Sequence, residues 1–551
     1  MTDMPARKRV SVILASTLSA LAVVGGIIGI GIVTDSPMVT ATSAAESVPA
    51  AGLEDPLAGQ VTDGATDSGV SSSESSAVAP DIAGSVSDIR NVVLLLADDL
   101  DWPLWDDVPR LKALEEQGTT LTNFVVTESL CCPSRTSILR GQYVHNHDVI
   151  SNMPQTGGGW QTFYDLGRQK DCLANWLSAG GIQTAHVGKY LNGFPGKDLK
   201  PNYTPPGWNY FVSTTRGKSA YTGYNYTLNV NGQLQKYYKG PYDFLENVLT
   251  AKTTEWISTA TEPFYLEFSS YLPHSPAPAS PSRIGSREGS QAPRSPNYNA
   301  AGIYEPAWLK KQKRLGAKQE QNLNLLWTRR LESAESMTDS FEAIMAQLRD
   351  SGRMEDTLVI VTSDNGYHVG SHRLPSGKHT PYREDSVVPA LFIGPGIPQG
   401  VKIDKMTSTI DLAPTIAAVQ GAATPGFLDG RDLMPLLLDP ENAPWRTGVL
   451  TQNLAPTTKG DPDFSGFEAP KYDALRTEQY LYVDYGRKQP AALYDLINDP
   501  YEIHNVVRST DPVIVEQLAR QTRALATCSG PSCRVADSLP VGVPTDAPDA
   551  S

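Results

Sequence analysis

Two short stretches of the chain are apolar throughout and stop at oxygen-bearing side chains. They are residues 91–97 (NVVLLLA) and residues 357–363 (TLVIVTS). Continuous apolar runs of this length are typical of strands that are buried on both faces, as in a parallel sheet. We therefore predict an α/β protein in which both runs are central strands. The residues that follow them are Asp98 and Asp99 in the first case and Asp364 and Asn365 in the second.

Two further segments continue this pattern of buried strands. Residues 171–177 have the apolar spacing of an amphipathic helix that stops at Gly180, and residues 183–190 then read as a strand with Lys189 at its end. The apolar run at 263–270 predicts another strand, and it is followed by His274.

The four oxygen-bearing residues after the first two strands are candidate metal ligands. In open α/β sheets, ligands bind at the carboxyl ends of the strands. Carboxylate and amide oxygens suit a hard divalent cation such as calcium, whereas zinc favours histidine or thiolate. Taken alone, Asp98 and Asp99 are equally well explained as a loop or as the N-cap of the next helix.

The N-terminal region differs in composition from this core. Three basic residues precede residues 10–33, a stretch of 24 residues without a charge, which is long enough to span a bilayer. Basic residues before the stretch orient the chain outward. We predict a signal peptide or signal anchor at 1–33 and an exported protein. Small residues at 41–45 would allow cleavage, so secreted and tethered forms are both expected alternatives.

Residues 34–88 hold nine acidic residues and neither lysine nor arginine, and they are poor in large apolar side chains. Such a segment cannot bury enough apolar surface to offset its ordering entropy, so we predict a disordered linker. Of the net charge of −14, residues 89–551 retain −7. A mildly acidic body argues against nucleic acid as a partner.

The most specific motif is the run CCPSR at 131–135. A bare CxPxR occurs by chance, and adjacent cysteines near a turn are also explained as buried thiols or as half of a disulfide. Pro133 suits the first turn of a helix, and a helix N-terminus directs free N–H groups toward an anion.

The motif and its surroundings resemble the sulfatase family, and within it the N-acetylglucosamine-6-sulfatase branch. The resemblance rests on CCPSR, on the HNH triplet at 145–147, and on the order of an early DD and a late DN around the motif. It implies an alkaline-phosphatase-like α/β sandwich with a large, mostly parallel sheet and a small antiparallel C-terminal subdomain. It also implies that a formylglycine-generating enzyme oxidises Cys131 to formylglycine. The implied ligands of one Ca²⁺ are Asp98, Asp99, Cys131, Asp364 and Asn365.

The same resemblance implies the catalytic cations. Arg135 belongs to the motif, Lys189 matches a family GK dipeptide, His274 matches a PHxP histidine, and Lys378 fills the position of a second sulfate-binding lysine. The wider family has GKWH where this chain has GKYLN, with Leu191 in place of the histidine. The supporting candidates for the formylglycine are therefore His147 and Asn192.

The implied mechanism uses the hydrated aldehyde at residue 131. One hydroxyl attacks sulfur in line with the leaving alcohol, which His274 or Lys378 protonates, and the second hydroxyl then expels sulfate. A serine or cysteine has no second hydroxyl and could not release sulfate in this way.

The C-terminal part alternates as a β-hairpin, with strands at 480–485 and 492–496. We predict a catalytic domain at 89–440, a C-terminal subdomain at 441–535 and a flexible tail at 536–551. Cys528 and Cys533 flank a turn and are expected to pair in an exported protein. Cys132 and Cys172 either pair or stay buried.

Several functions remain open at this point. The branch resemblance points to the 6-O-sulfate of N-acetylglucosamine in glycans, with a broad arylsulfatase acting on aryl sulfates as the alternative. A phosphoesterase of the related alkaline phosphatase group would want two zinc ions and several histidines, but the chain has eight histidines in all. A catalytically dead surface-binding protein would have no reason to keep the whole set of site residues. The sequence gives no indication of the oligomeric state.

Overall fold

The protein is described by a computed structural model that covers residues 88–542, except 216, 218, 457, 458, 460–462, 465 and 488. The predicted signal segment at 1–33, the linker up to residue 87 and the tail beyond residue 542 lie outside the described residues. Among the described residues, no helix combines the length and the apolar character needed to cross a bilayer.

A large mixed sheet forms the centre of the fold. Its strands are β1 (Asn91–Ala97), β2 (Thr119–Val125), β3 (Gln183–Gly188), β4 (Tyr210–Thr214), β5 (Thr227–Val230), β6 (Gln233–Lys236), β7 (Phe264–Ser269), β8 (Thr357–Ser363), β11 (Val387–Ile393), β12 (Val401–Ile403) and β13 (Thr407–Ser408). They run in the order β12-β2-β11-β8-β1-β7-β3-β4-β5-β6, and β13 pairs with β2. The neighbouring strands β8, β1, β7, β3 and β4 are mutually parallel. Residues 368–369 (β9) and 376–377 (β10) form a separate two-stranded ribbon.

Helices cover both faces of this sheet, which explains why β1 is apolar at every position. Val93 and Leu95 lie in one hydrophobic cluster, while Val92 and Leu94 lie in another. The helices are α1 (Trp102–Asp107), α2 (Pro109–Ala113), α3 (Cys131–Arg140), α4 (Val144–His147), α5 (Gly159–Asp165), α6 (Leu173–Ala179), α7 (Leu245–Thr259), α8 (Ala307–Lys310), α9 (Ala317–Asp350), α10 (Arg383–Ser386), α11 (Leu412–Val419), α12 (Met434–Leu438), α13 (Pro512–Leu525) and α14 (Pro531–Ala536). A sheet between two helical layers buries both sets of side chains.

The smaller sheet is antiparallel and lies toward the C-terminus. It consists of β14 (Gly448–Asn453), β15 (Tyr472–Thr477), β16 (Tyr480–Asp484) and β17 (Ala492–Asp495), in that order. The predicted hairpin is thus confirmed as β16 and β17, which pair in antiparallel register. The predicted fold class, a large and mostly parallel sheet with a small antiparallel C-terminal sheet, is confirmed as well.

The cysteines divide as the sequence suggested. Cys528 and Cys533 form a disulfide, as predicted. Cys132 and Cys172 were expected either to pair or to stay buried. In the structure both are buried free thiols.

Candidate active site

The carboxyl ends of four neighbouring strands meet at one edge of the large sheet. Ala97 of β1 pairs with Ser363 of β8, and Gly188 of β3 pairs with Ser269 of β7. Because these strands are parallel and end in register, the residues that follow them lie side by side. The register therefore brings the DD pair, the DN pair and Lys189 to one place.

The DD and DN side chains form a buried oxygen-rich cluster, as predicted for a metal site. The Asp99 main-chain N–H donates to Asp364 Oδ1 at 3.2 Å, and Asn365 Nδ2 donates to Asp99 Oδ1 at 2.6 Å. Asp98, Asp99, Asp364 and Asn365 are all fully buried. Asp99 has a φ of +71°, a left-handed conformation that is uncommon outside glycine and that turns the chain sharply after β1.

The chemistry of this cluster fits a hard divalent cation. Asp99 Oδ2 and Asn365 Oδ1 are buried and accept no hydrogen bond within the described part of the chain. A buried oxygen atom that has no hydrogen-bond partner destabilises the folded protein. A bound cation would provide the missing partner for both oxygens. Ligand atoms of Asp98, Asp99, Cys131 and His274 lie within 4.8 Å of one another. Two of these four groups are carboxylates, and Asp364 and Asn365 beside them add further oxygen donors, the ligand type that calcium and magnesium prefer.

Cys131 lies at the first position of helix α3, against this cluster. Its Sγ is 2.8 Å from Lys378 Nζ and 3.5 Å from Asp98 Oδ1. Burial raises the pKa of the Cys131 thiol well above its usual value, although Lys189 and Lys378 oppose the shift. The unmodified thiol is therefore protonated and is a poor nucleophile.

Three buried cations surround Cys131. Arg135 Nε donates to Asp364 Oδ2 at 2.7 Å, Lys189 Nζ donates to Asp98 Oδ2 at 2.6 Å, and Lys378 Nζ donates to Asp99 Oδ1 at 2.7 Å. Burial opposes the charge on each lysine, but the neighbouring carboxylates outweigh it and raise the pKa of both amines. Both lysines thus stay cationic. The second terminal nitrogen of the guanidinium, Arg135 Nη2, is buried and has no hydrogen-bond partner among the described residues.

The same cations act on Asp364. Burial by itself would raise the pKa of this carboxyl, but Arg135, Lys189 and Lys378 together lower it to about 2. The carboxylate is therefore ionised at every physiological pH, as a metal ligand must be.

His274 faces the cluster from the loop after β7. Its Nε2 lies 2.9 Å from Asp463 Oδ1 and 3.8 Å from Asp99 Oδ2. Burial would lower the pKa of the imidazole, but Asp99, Asp98 and Asp463 outweigh it and raise the pKa above its usual value. The ring is thereby kept as a proton donor near neutral pH.

Two residues of this site were not found from the sequence. Asp463 comes from the loop between β14 and β15 and accepts from His274 and from Asn152 Nδ2, the latter at 2.5 Å. Asn152 Oδ1 in turn accepts from the Cys132 main-chain N–H at 2.9 Å, at the start of α3. Neither residue belongs to a motif, and Asp463 reaches His274 across 189 residues of chain.

The two supporting candidates lie elsewhere in the structure. His147 is fully buried behind α3, with Nε2 at 3.0 Å from Ser137 Oγ and Nδ1 accepting from the Val149 N–H. Both of its ring nitrogens are thus occupied away from Cys131, so the structure does not support the prediction that His147 hydrogen-bonds residue 131. Its neighbours in the HNH triplet, His145 and Asn146, contact the main-chain oxygen of Cys528. The triplet therefore joins helix α3 to the C-terminal subdomain.

Asn192 lies nearer to the site. It lines a cavity of about 170 Å³ together with Lys189 and Tyr221. Its side-chain Oδ1 is buried without a hydrogen-bond partner among the described residues. A second small cavity, of about 210 Å³, is lined by Asp99, His274, Tyr367 and Asp463. Both spaces border the cluster, so a group bound in either one lies next to the buried cations and carboxylates.

Comparisons with known proteins agree with this geometry. The chain matches the Sulfatase family over residues 90–422 and the C-terminal region of N-sulphoglucosamine sulphohydrolase over residues 376–527. It is 32% identical to N-acetylglucosamine-6-sulfatase of Capra hircus over 476 residues, which cover 81% of this chain and 84% of the relative. The human N-acetylglucosamine-6-sulfatase is equally similar, with 86% of its length covered.

Solved structures share the fold. One is BT4656 in complex with its substrate D-glucosamine-2-N,6-O-disulfate, with a TM-score of 0.67 and 16% identity, covering 79% of this chain and 97% of that one. Another is the putative sulfatase yidJ of Bacteroides fragilis, with a TM-score of 0.64 and 19% identity, covering 82% and 98%. At these identities the likeness concerns the fold alone.

Proposed function

Because this chain belongs to the sulfatase family and is a sulfuric ester hydrolase, we propose that it removes the 6-O-sulfate of N-acetylglucosamine in a glycan. The single observation that carries the proposal is the position of Cys131. It begins a helix and lies among Lys378, Lys189 and a carboxylate cluster. The choice of substrate is supported by the relatives that are named N-acetylglucosamine-6-sulfatases.

We propose Ca²⁺ as the cofactor, held by Asp98, Asp99, Asp364, Asn365 and residue 131. Calcium is favoured because it accepts carboxylate and amide oxygens together. A bound calcium would supply positive charge that stabilises a sulfate group and an oxyanion at residue 131. When Asp463 is counted, four carboxylates face Arg135, Lys189, Lys378 and the protonated His274, so the cluster itself has no surplus positive charge. A sulfate monoanion would therefore not be attracted without added positive charge.

The nucleophile in this proposal is formylglycine, formed from Cys131 by a formylglycine-generating enzyme during maturation. The aldehyde adds water to give a geminal diol. One hydroxyl loses its proton and attacks sulfur, so that a new O–S bond forms as the bond from sulfur to the sugar oxygen breaks. Lys189 and Arg135 Nη2, which has no hydrogen-bond partner among the described residues, are placed to hold the charge. The remaining hydroxyl then loses its proton, the C–O bond to sulfate breaks, and the aldehyde is restored.

The leaving sugar oxygen needs a proton, and His274 is placed to give it. The Nδ1 of His274 lies 2.7 Å from the Ser275 main-chain oxygen and its Nε2 lies 2.9 Å from Asp463 Oδ1, at the wall of the small cavity. The raised pKa keeps the ring protonated, and the Nε2 proton would pass to the leaving oxygen when substrate replaces the contact with Asp463. Lys378 is the second candidate for this role, because its Nζ lies 2.8 Å from Cys131 Sγ. We favour His274 because Lys378 lies at the nucleophile, whereas a leaving group departs on the opposite side in an in-line displacement.

The cellular setting is also part of the proposal. We propose export, with residues 10–33 as a signal peptide or membrane anchor, and the disulfide of Cys528 and Cys533 supports it because disulfides persist in oxidising compartments. We assign residues 89–440 to the catalytic domain and 441–535 to the C-terminal subdomain. Because Asp463 lies in the C-terminal subdomain, both the catalytic domain and this subdomain contribute residues to the site.

The test compares sulfate release from N-acetylglucosamine 6-sulfate and from 4-nitrophenyl sulfate. We expect the formylglycine-bearing enzyme to hydrolyse both. The change His274→Asn should reduce kcat on the sugar sulfate by about 10²- to 10⁴-fold, the usual contribution of a general acid. The loss on 4-nitrophenyl sulfate should be less than about tenfold, because nitrophenolate leaves readily without a proton.

The matched control is His504→Asn, since His504 is half exposed and lies outside the cluster. It should leave both rates unchanged. If His274→Asn lowered kcat equally on the two substrates, His274 would not be the general acid. Turnover of the aryl sulfate alone by the unaltered enzyme would instead assign a broad arylsulfatase.

A further inference from the structure

A cavity of about 490 Å³ lies beside the catalytic cluster, and no part of the mechanism uses it. Its volume falls within the ~300–1,000 Å³ that is usual for ligand sites. Tyr367 lines both this cavity and the small catalytic opening that contains Asp99 and His274. We call it the Tyr367 cavity. Because the two cavities share Tyr367, a sugar next to the sulfated one could occupy the larger cavity.

The same two loops that carry metal ligands also build the Tyr367 cavity. The loop after β1 continues from Asp99 to Asp101 and Trp102, and the loop after β8 continues from Asn365 to Tyr367. Buried Arg330 joins them, because its Nη2 donates to Asp99 O at 2.7 Å and to Asp101 Oδ2 at 2.6 Å. Its guanidinium also lies over the Tyr367 ring, 4.4 Å from the centroid. The cavity wall is therefore tied rigidly to the catalytic edge.

Residues 500–502 of the C-terminal subdomain also line the cavity, and Asn297 ties this segment to Glu384 of the catalytic domain. Asn297 Nδ2 donates to Glu384 Oε1 at 2.6 Å and to the Tyr501 main-chain oxygen at 3.2 Å. Tyr501 itself is 41% exposed, which is high for so large an apolar side chain. Four aromatic side chains from distant parts of the sequence thus line the cavity. They are Trp102, Trp327, Tyr367 and Tyr501.

The charges of the wall do not favour an anion. Its acidic residues outnumber its one cation, Arg383, and they are Asp101, Asp106, Glu384 and Glu502. Arg330 pairs with Asp101, and Arg476 pairs with Glu502 at 2.6 Å. These cations are thereby already engaged. A sulfated or uronic unit entering the cavity would find no surplus positive charge, in contrast to the cluster around Cys131.

We propose that the Tyr367 cavity binds an uncharged sugar unit joined to the sulfated N-acetylglucosamine. A pyranose ring has a C–H face that packs on aromatic rings and a rim of hydroxyls that both donate and accept. Glu384 and Arg383 offer an acceptor and a donor for that rim. This inference rests on the proposed function and narrows its substrate class to glycans in which neutral sugars alternate with the sulfated one.

The test uses the formylglycine-bearing enzyme and three 6-sulfated substrates. They are N-acetylglucosamine 6-sulfate alone, the same unit linked to a neutral hexose, and the same unit linked to a uronic acid. We expect kcat/KM to be up to about tenfold higher for the neutral disaccharide than for the monosaccharide, the range of one aromatic contact. The uronic disaccharide should show no such gain. Tyr501→Ala should remove the gain and leave the monosaccharide rate unchanged, whereas Tyr501→Phe should keep it.

The matched control is Tyr242→Ala, because Tyr242 is 86% exposed and lies outside the cavity wall. Equal kcat/KM for the three substrates, a preference for the uronic disaccharide, or a gain that survives Tyr501→Ala would each overturn the proposal. No release from any sugar sulfate, with turnover of 4-nitrophenyl sulfate, would instead overturn the proposed function. In that case, a titration of tryptophan fluorescence with the unsulfated neutral disaccharide tests separately whether the Tyr367 cavity binds a neutral sugar. Binding that is lost in Tyr501→Ala supports the inference, and no binding overturns it.

Discussion

Replacing Cys131 by alanine should abolish sulfate release, with a loss of at least about 10⁴-fold in kcat. The variant keeps the β-carbon but lacks the thiol group that the formylglycine-generating enzyme oxidises, so no aldehyde, no diol and no sulfate ester can form. The fold should survive, because alanine suits the first turn of helix α3 and one buried sulfur atom is lost, at a cost of roughly 1 kcal/mol. Calcium should still raise the melting temperature, because the four oxygen ligands remain. Sulfate release and thermal unfolding measure the two effects.

Cys172→Ala is the matched control for this variant. Cys172 is also a fully buried free thiol, but it precedes helix α6 and contacts Asn175 rather than the cluster. It should lose a similar amount of stability and keep its activity. Activity retained in Cys131→Ala would end the formylglycine hypothesis. Cys131→Ser is a second test variant. A serine has a single hydroxyl and cannot expel a bound sulfate, so this variant should take up at most one sulfate per chain and should not turn over.

Removing calcium should reduce turnover nearly as strongly. Chelation leaves Asp99 Oδ2 and Asn365 Oδ1 without a hydrogen-bond partner, and it leaves the four carboxylates balanced by four cations, with no surplus positive charge for a sulfate group. We expect Asp364→Asn to lower activity by at least about 100-fold, since even the loss of an outer-shell partner commonly costs 10- to 100-fold in metal affinity or activity. In the unaltered enzyme, calcium at 100 times its Kd should raise the free energy of unfolding by about 2.7 kcal/mol. Asp364→Asn should lose most of that rise.

Asp356→Asn is the control for the metal prediction. Asp356 directly precedes the same strand, β8, but lies at its opposite end, where its Oδ1 accepts from Asn91 Nδ2. The variant should keep both activity and the calcium-dependent rise in melting temperature. Full turnover in excess chelator, together with an unchanged melting temperature, would contradict the assignment of calcium.

The parts of the site that the sequence predicted share one physical property. The DD pair, the DN pair and Lys189 each follow directly after an apolar strand, so local pattern and the geometry of parallel strands are enough to place them together. Pro133 likewise predicted the first turn of a helix at the motif, and helix α3 begins there. The roles of these residues came from resemblance to a family, since pattern alone does not distinguish a metal ligand from a cap.

The parts that the sequence did not predict depend on long-range contacts. Asp463 lies 189 residues from His274 along the chain and reaches it from a loop with no motif of its own. His147 shows the converse case, because its place in a family-like triplet suggested chemistry whereas its contacts with Ser137 and Val149 are structural. The Tyr367 cavity likewise joins loops that are far apart in sequence.

The central claim is that residue 131 becomes an aldehyde, and mass spectrometry of the tryptic peptide spanning residues 113–135 tests it most directly. The protein should be made in a host that has the formylglycine-generating enzyme. We predict a peptide with the mass of formylglycine at position 131, which reacts with a hydrazide, and with Cys132 still a thiol. A full complement of unmodified thiol at position 131 in protein that nevertheless hydrolyses sulfate esters would contradict the account.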